Sequence, residues 1–285
     1  MTNTGTRTSR LGPAPGLGMS APVGTRTVVA LDGSVTTGHE VTVAEEVPVA
    51  FIYGGKPYVV MMCTPADLED LAVGFTVSEE IAGAVEIGEV VASRHSRGIE
   101  LVIPIPPGQS ALLADRTRAI SGRSGCGLCG VEAIDAAIRA PRPVTSSLTI
   151  ARAALWRAGQ SLEDRQPVNR ETRTVHAAAW ANANGELVVV REDVGRHNAL
   201  DKVIGALARA GTDAGAGFLV VTSRASYELV QKTAAAGVPL LAAVSRATGL
   251  AVRFADEAGI TLVGLLRGRT AIVYTHVARL TDPAT

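Results

Sequence analysis

From Glu186 to Thr275 the chain alternates short runs of consecutive apolar residues with longer amphipathic stretches that stop at glycine. ELVVVR, FLVVTS, PLLAAV, TLVGLLR and AIVYT are short and rich in Val and Leu, so they predict strands, most of them covered on both faces. NALDKVIGALARAG, SYELVQKTAAAG and TGLAVRFADEAG fall between them and close on Gly211, Gly237 and Gly259, a residue suited to the left-handed turn that ends a helix. Strands separated by helices predict an α/β fold with a layered, mostly parallel sheet. Ligands of such sheets bind beyond the carboxyl ends of the strands.

That rule singles out three loops. The first runs Arg191-Glu192-Asp193-Val194-Gly195-Arg196-His197-Asn198, the second Thr222-Ser223-Arg224-Ala225-Ser226, the third Ser245-Arg246-Ala247-Thr248-Gly249. Each brings small polar residues and an arginine to a strand-to-helix corner, where free backbone N–H groups and the helix dipole attract anions. Three arginines at equivalent corners predict a phosphate-bearing ligand. The contacts expected are Asp193, Gly195, Arg196, His197, Asn198 and Lys202 from the first loop and its helix, with Ser223, Arg224 and Ser245 from the others. Taken singly, each loop reads more readily as a set of helix caps, and it is the three together that point to a ligand. None matches a Walker loop or G-x-G-x-x-G, which disfavours ATP hydrolysis and nicotinamide binding.

Four segments are expected along the chain. Residues 1–25, rich in Gly, Thr, Pro and Arg without periodicity, read as a disordered tail. Residues 26–108 read as a small α+β unit: strands VTVAEEVPVAF and KPYVVMMCT about a Tyr53-Gly54-Gly55 turn, a helix opened by Thr64-Pro65, and strands EVVASRH and IELVIPIP. Residues 109–130 form a glycine-rich loop. Residues 131–285 make the α/β domain, entered through helices VEAIDAAIRA and IARAALWRAGQSL.

The glycine-rich loop holds two of the three cysteines, in SGRSGCGLCGV. The 27 basic and 27 acidic residues cancel, so neither nucleic acid nor a membrane surface is expected as the main partner. No apolar run reaches the length of a membrane span and the first residues lack an export segment, which places the protein in the cytoplasm, where thiols stay reduced. Cys126 and Cys129 are therefore metal-binding or reactive, and Cys63, between Met62 and Thr64, reads as a core thiol. One C-x-x-C pair is half of a structural zinc site. A zinc deaminase needs H-x-E, but His176 is followed by Ala177 and Ala178, and Gly125 stands where that signature has proline. No metal is expected. Glycines 125, 127 and 130, Arg123 and the start of the next helix all favour a thiolate, a nucleophile able to attack a disulfide or to accept a sulfane sulfur.

The segments GRSGCGLCG, VHAAAW, EDVGRHNALDKVIG, VTSRASYELVQKTAAAGVPLLAAVSRAT and GLLRGR occur in the order that resembles the FdhD family of formate dehydrogenase accessory sulfurtransferases. The resemblance runs from about Val41 to the C-terminus. It implies a sulfur carrier, loaded on Cys126 or Cys129 by a cysteine desulfurase, that sulfurates the molybdenum cofactor, bis-molybdopterin guanine dinucleotide, before it enters formate dehydrogenase. It also implies a cytidine-deaminase-like core, a homodimer, and cofactor contacts at Leu265, Leu266, Arg267, Gly268 and Arg269. GDP, which shares base, ribose and diphosphate with that cofactor, should bind as a partial mimic. This chain has Thr172-Arg173-Thr174 where the family pattern carries T-G-G, and Leu265-Leu266 where it has an aromatic. A cofactor-binding chaperone without sulfur chemistry, or a thiol-disulfide oxidoreductase, are the competing readings.

Overall fold

The computed structural model describes residues 21–32, 35–113 and 140–282. An antiparallel ribbon comes first, β1 (Val23–Asp32) with β2 (Val35–Ala44). Val23 pairs with Ala44, so the last residues assigned to the tail already belong to this ribbon. β3 (Val47–Tyr53) and β4 (Lys56–Cys63) form a hairpin about Gly54 and Gly55, both at positive φ. After α1 (Leu68–Ser78) come β5 (Val91–His95) and β6 (Gly98–Val102), completing a four-stranded sheet of order β4-β3-β6-β5. α1 packs on it through Leu68, Leu71 and Phe75, with the Phe51 and Phe75 ring centroids 4.8 Å apart. Thr64 does not cap this helix: the residue at the cap position is Asp67, in a left-handed conformation and without a side-chain cap bond.

The second unit contains β7 (Ile150–Ala151), α2 (Arg152–Asp164), α3 (Pro167–Thr172), β8 (His176–Asn182), β9 (Leu187–Asp193), α4 (Arg196–Arg209), β10 (Gly217–Val221), α5 (Tyr227–Ala235), β11 (Leu240–Ala243), α6 (Gly249–Ala258), β12 (Thr261–Arg267), β13 (Thr270–Val273) and β14 (Leu280–Thr281). Its main sheet has the order β13-β12-β11-β10-β8-β9. The fold is α/β as expected, but the sheet is mixed rather than mostly parallel. Only β10/β11 and β11/β12 run parallel, whereas β8/β10, β8/β9 and β12/β13 are antiparallel. The reason is the hairpins: β8–β9 and β12–β13 are joined by short turns, which force antiparallel pairing. β8 itself, HAAAWAN, was hidden because alanine carries no strand signal. α4, α5 and α6 cover one face of the sheet through Leu200, Val203, Leu229 and Phe254, and α2 covers the other through Leu155, Ala158 and Leu162.

The two units join where α1 crosses α4. A Cβ on Gly74 would fall 1.7 Å from the Asp201 carbonyl oxygen, and one on Gly205 1.8 Å from that of Asp70. Only glycine permits so close an approach of two helix backbones. Beside the crossing, Ser78 Oγ donates to Asp201 Oδ1 at 2.6 Å, and Lys232 Nζ donates to Asp201 Oδ2 at 3.0 Å and Glu79 Oε1 at 2.9 Å.

Candidate functional site at one edge of the mixed sheet

β9, β10, β11 and β12 all end at one edge of the sheet, where β8 begins. The three loops predicted from sequence meet there. The Val244 N–H donates to Val221 O at 2.9 Å, the Ala225 N–H to Arg246 O at 3.2 Å, the Thr248 N–H to Ala225 O at 3.0 Å and the Leu265 N–H to Ser245 O at 2.9 Å. The last bond ties the third loop to the end of β12, just before its turn into β13. Leu265 sits at φ +52, beside a register shift between Gly264 and Arg267. A leucine in that region is strained, and the strain is held by the bond to Ser245.

α4, α5 and α6 start at this edge behind Gly195, Ser226 and Thr248, all extended in backbone conformation. Arg224, Arg246, Arg267 and Arg269 are exposed, while Ser223 is buried and Ser245 half-buried. Four cations beside three helix N-termini make the edge attractive to a polyanion. Arg196 and His197 face α5: His197 Nε2 lies 2.5 Å and Arg196 Nη2 3.9 Å from Glu228 Oε2. Burial outweighs the glutamate and holds the His197 pKa below its ordinary value. Leu266 is almost fully buried against Gly159, whose own Cβ would collide with it, so only its edge meets solvent.

Asp193, Asn198 and Lys202 point the other way, into the seam between the units. Asp193 and Lys202 are fully buried, with Nζ 2.6 Å from Oδ2. Lys202 also donates to Thr64 O at 3.1 Å, and the Thr64 N–H donates to Asp193 Oδ2 at 3.0 Å. Asn198 Nδ2 donates to Met62 O and Asp193 Oδ1, both at 2.9 Å. Every charge in this group is matched inside the protein, which leaves none facing the edge. Cys63, in the same seam, is a buried core thiol whose pKa is pushed well above its ordinary value by burial and by Asp193.

Cys126 and Cys129 lie outside the described residues, as does the helix expected after them. Beside the edge, on the α2 side of the sheet, is a cleft of about 820 Å³ lined by Gln166, Arg170, Arg173, His176, Thr222 and Arg267, among others. Of these the sequence had singled out only Arg267 as a contact. His176 had been visible in VHAAAW, but its place at an open strand end depends on β8, which sequence reading missed.

A model of the FdhD/NarQ family matches residues 44–281. The chain belongs to this family. The chain is 54% identical over 239 residues to the sulfur carrier protein FdhD of Xanthomonas euvesicatoria pv. vesicatoria, covering 84% of this chain and 85% of that protein. It is 48% identical to the protein of the same name from Xanthomonas oryzae pv. oryzae, over 98% of this chain and 96% of the relative. The relative of that name in Cupriavidus necator is 48% identical over 85% of this chain and 84% of its own length. The crystal structure of a provisionally named formate dehydrogenase accessory protein from Desulfotalea psychrophila superposes with a TM-score of 0.72, covering 91% of this chain and 99% of that one at 22% identity. That likeness supports the fold of this family member. No helix among the described residues is long and apolar enough to cross a membrane.

Proposed function

We propose that this chain is a cytoplasmic sulfur carrier in formate dehydrogenase maturation, and that its sheet edge binds the nucleotide part of the molybdenum cofactor while Cys126 or Cys129 carries the sulfur. The observation that carries the reading is the meeting of three arginine-bearing loops and the Leu265–Arg269 turn at one edge, in a chain about half identical to named sulfur carriers. The phosphates lie against the helix starts at Gly195 and Ser226, with Arg224 and Arg196 nearest them and Ser223, Ser245 and His197 completing the wall. Gly268 lets the β12–β13 turn bend at φ +56, presenting Arg267 and Arg269. Asp193, Asn198 and Lys202 hold the first loop from behind rather than touching the ligand.

The chemistry follows from the thiols. One thiolate attacks the terminal sulfur of the desulfurase persulfide, forming a persulfide here and releasing the donor cysteine thiolate. Attack by the second cysteine on the inner sulfur then expels hydrosulfide for the metal and leaves a Cys126–Cys129 disulfide, so electrons balance. The cofactor enters as substrate, and a homodimer with the desulfurase and formate dehydrogenase as transient partners completes the reading.

Incubation with a cysteine desulfurase and cysteine should add one sulfur atom to the peptide containing Cys126 and Cys129, read by mass spectrometry. Cys126→Ala should abolish formate dehydrogenase maturation while GDP still binds. An unlabelled peptide would return the protein to the chaperone reading, and disulfide turnover without sulfur uptake would favour an oxidoreductase.

A further inference from the structure

Neither sulfur transfer nor nucleotide binding gives the ribbon of β1 and β2 a task. Its base is tied to the body: the Glu45 N–H donates to Pro22 O at 2.9 Å, Arg26 pairs with Glu45, and β2 lies against α3. Beyond the base, Thr25, Arg26 and Thr27 on β1 and Thr37 to Glu40 on β2 are all exposed. Successive side chains of a strand point to opposite faces, so both faces of the ribbon meet water. A two-stranded ribbon in that state is marginal and needs a third strand or a packing partner. Its strands of ten residues reach about 33 Å, and the far end is apolar. There Val29 is 63% and Leu31 76% exposed, on one face, and Val29 lies opposite Gly38, which has no side chain to shield it.

A second uncovered apolar surface lies where the ribbon enters the first unit. Ala44 ends β2 and Val47 opens β3, so ribbon and four-stranded sheet are continuous. α1 covers one face of that sheet. On the other face the register sets Met62 beside Pro48, Val60 beside Ala50 and Val91 beside Val102. Met62 is 48% and Val60 60% exposed, and Val91 and Val102 are exposed with them. Contiguous apolar surface of this kind marks a contact with another molecule.

We propose that the ribbon is an exchanged arm: in a dimer, each copy lays Val29 and Leu31 on the open sheet face of the other, over Val60 and Met62. The inference rests on the reading that the chain works as a homodimer, and it adds the surfaces that join the copies. A second copy is the occupant because one two-fold exchange covers both surfaces on both chains, the closed contact that a symmetric dimer requires. The sizes agree. A stable interface takes about 20–30 residues from each side, and the two ten-residue strands bring the lower figure before the receiving sheet is counted. Charge raises no obstacle, since the 27 basic and 27 acidic residues cancel within each copy.

Sedimentation velocity on the full chain at micromolar concentration should give a dimer. Val29→Glu/Leu31→Glu on the arm and Val60→Glu/Met62→Glu on the sheet should each weaken it about a hundredfold, because a carboxylate would be buried without a partner. These side chains are exposed in the single chain, so their replacement should leave the fold intact, as circular dichroism would show. Serine at the same positions serves as a milder pair if glutamate disturbs the fold. Mixing the two variants is the decisive test: the mixed pair keeps one intact arm on one intact sheet face, so it should dimerise where neither variant does alone. Hydrogen exchange over residues 24–31, slow in the unmodified dimer, should speed up in the sheet-face variant, whose arm is unaltered. A monomeric unmodified chain overturns both this inference and the homodimer reading. Dimers that persist in either variant, variant monomers that stay apart when mixed, or arm exchange that ignores the sheet-face substitutions overturn the exchanged arm and leave the homodimer standing.

Discussion

Asp193 has four donors in a space sealed from water: the N–H groups of Thr64 and Gly195, the Asn198 amide and the Lys202 ammonium. Removing either charge strands the other in the seam, and an unmatched buried charge costs about 3–5 kcal/mol. Asp193→Asn and Lys202→Met are each expected to lose that much in urea unfolding. Arg224, exposed at the edge, should behave in the opposite way. Its substitution by alanine should change stability by less than about 0.5 kcal/mol. GDP affinity should fall about ten- to a hundredfold, the loss of a charge-assisted contact of about 1.5–3 kcal/mol. Equal GDP binding by Arg224→Ala would return the loop to being a helix cap. The residue types at both positions were legible in the sequence, and their roles were not. A carboxylate in a strand-end loop looks the same whether it faces ligand or seam, and only burial separates the two.

At the scale of elements, the α1–α4 crossing depends on two glycines buried in helices. On an exposed helix, Gly→Ala stabilises by about 1 kcal/mol. Gly205→Ala should do the reverse, because its Cβ would sit 1.8 Å from the Asp70 carbonyl oxygen and the helices must part. Overpacking of this kind costs about 1–3 kcal/mol. Gly249→Ala is the control: at the start of α6 its Cβ would meet only the flexible end of Arg253, at 3.7 Å, and little change is expected in thermal unfolding. Equal melting temperatures for the two variants would mean that the crossing has slack. The helices were readable because each carries an apolar stripe and a stop signal, as in TGLAVRFADEAG. β8 was not, because its alanines owe their strand state to the neighbours β10 and β9 rather than to their own preference.

For the whole molecule, the pH dependence of stability follows from the histidines at the edge. His176 and His197 both have folded-state pKa values below the ordinary histidine value, chiefly through burial. The unfolded chain therefore binds more protons as pH falls through about 6.5, and the stability these rings contribute above that pH is lost below it. The melting temperature should fall between about pH 7.5 and pH 5.5, less steeply in a His176→Gln/His197→Gln double variant. Identical slopes in the two proteins would show that neither ring is held neutral by the fold. A ligand bearing phosphate should reduce the same slope, since it adds negative charge at the edge beyond that of Glu228.

Local chemistry was sufficient for the α/β class, the helices α2, α4, α5 and α6, the hairpin at Gly54-Gly55 and the three loops at strand ends. Hydrophobic period, glycine stops and strand-end residue types are properties of neighbours in the chain, and they survive folding unchanged. The direction of the strands, the seam that takes in Asp193, Asn198 and Lys202, the glycine contact between α1 and α4, and the position of His176 at the start of β8 opposite Asp193 were decided by tertiary structure. Each depends on which residue far along the chain comes to lie opposite, as Thr64 does to Asp193, and on how much water that meeting excludes.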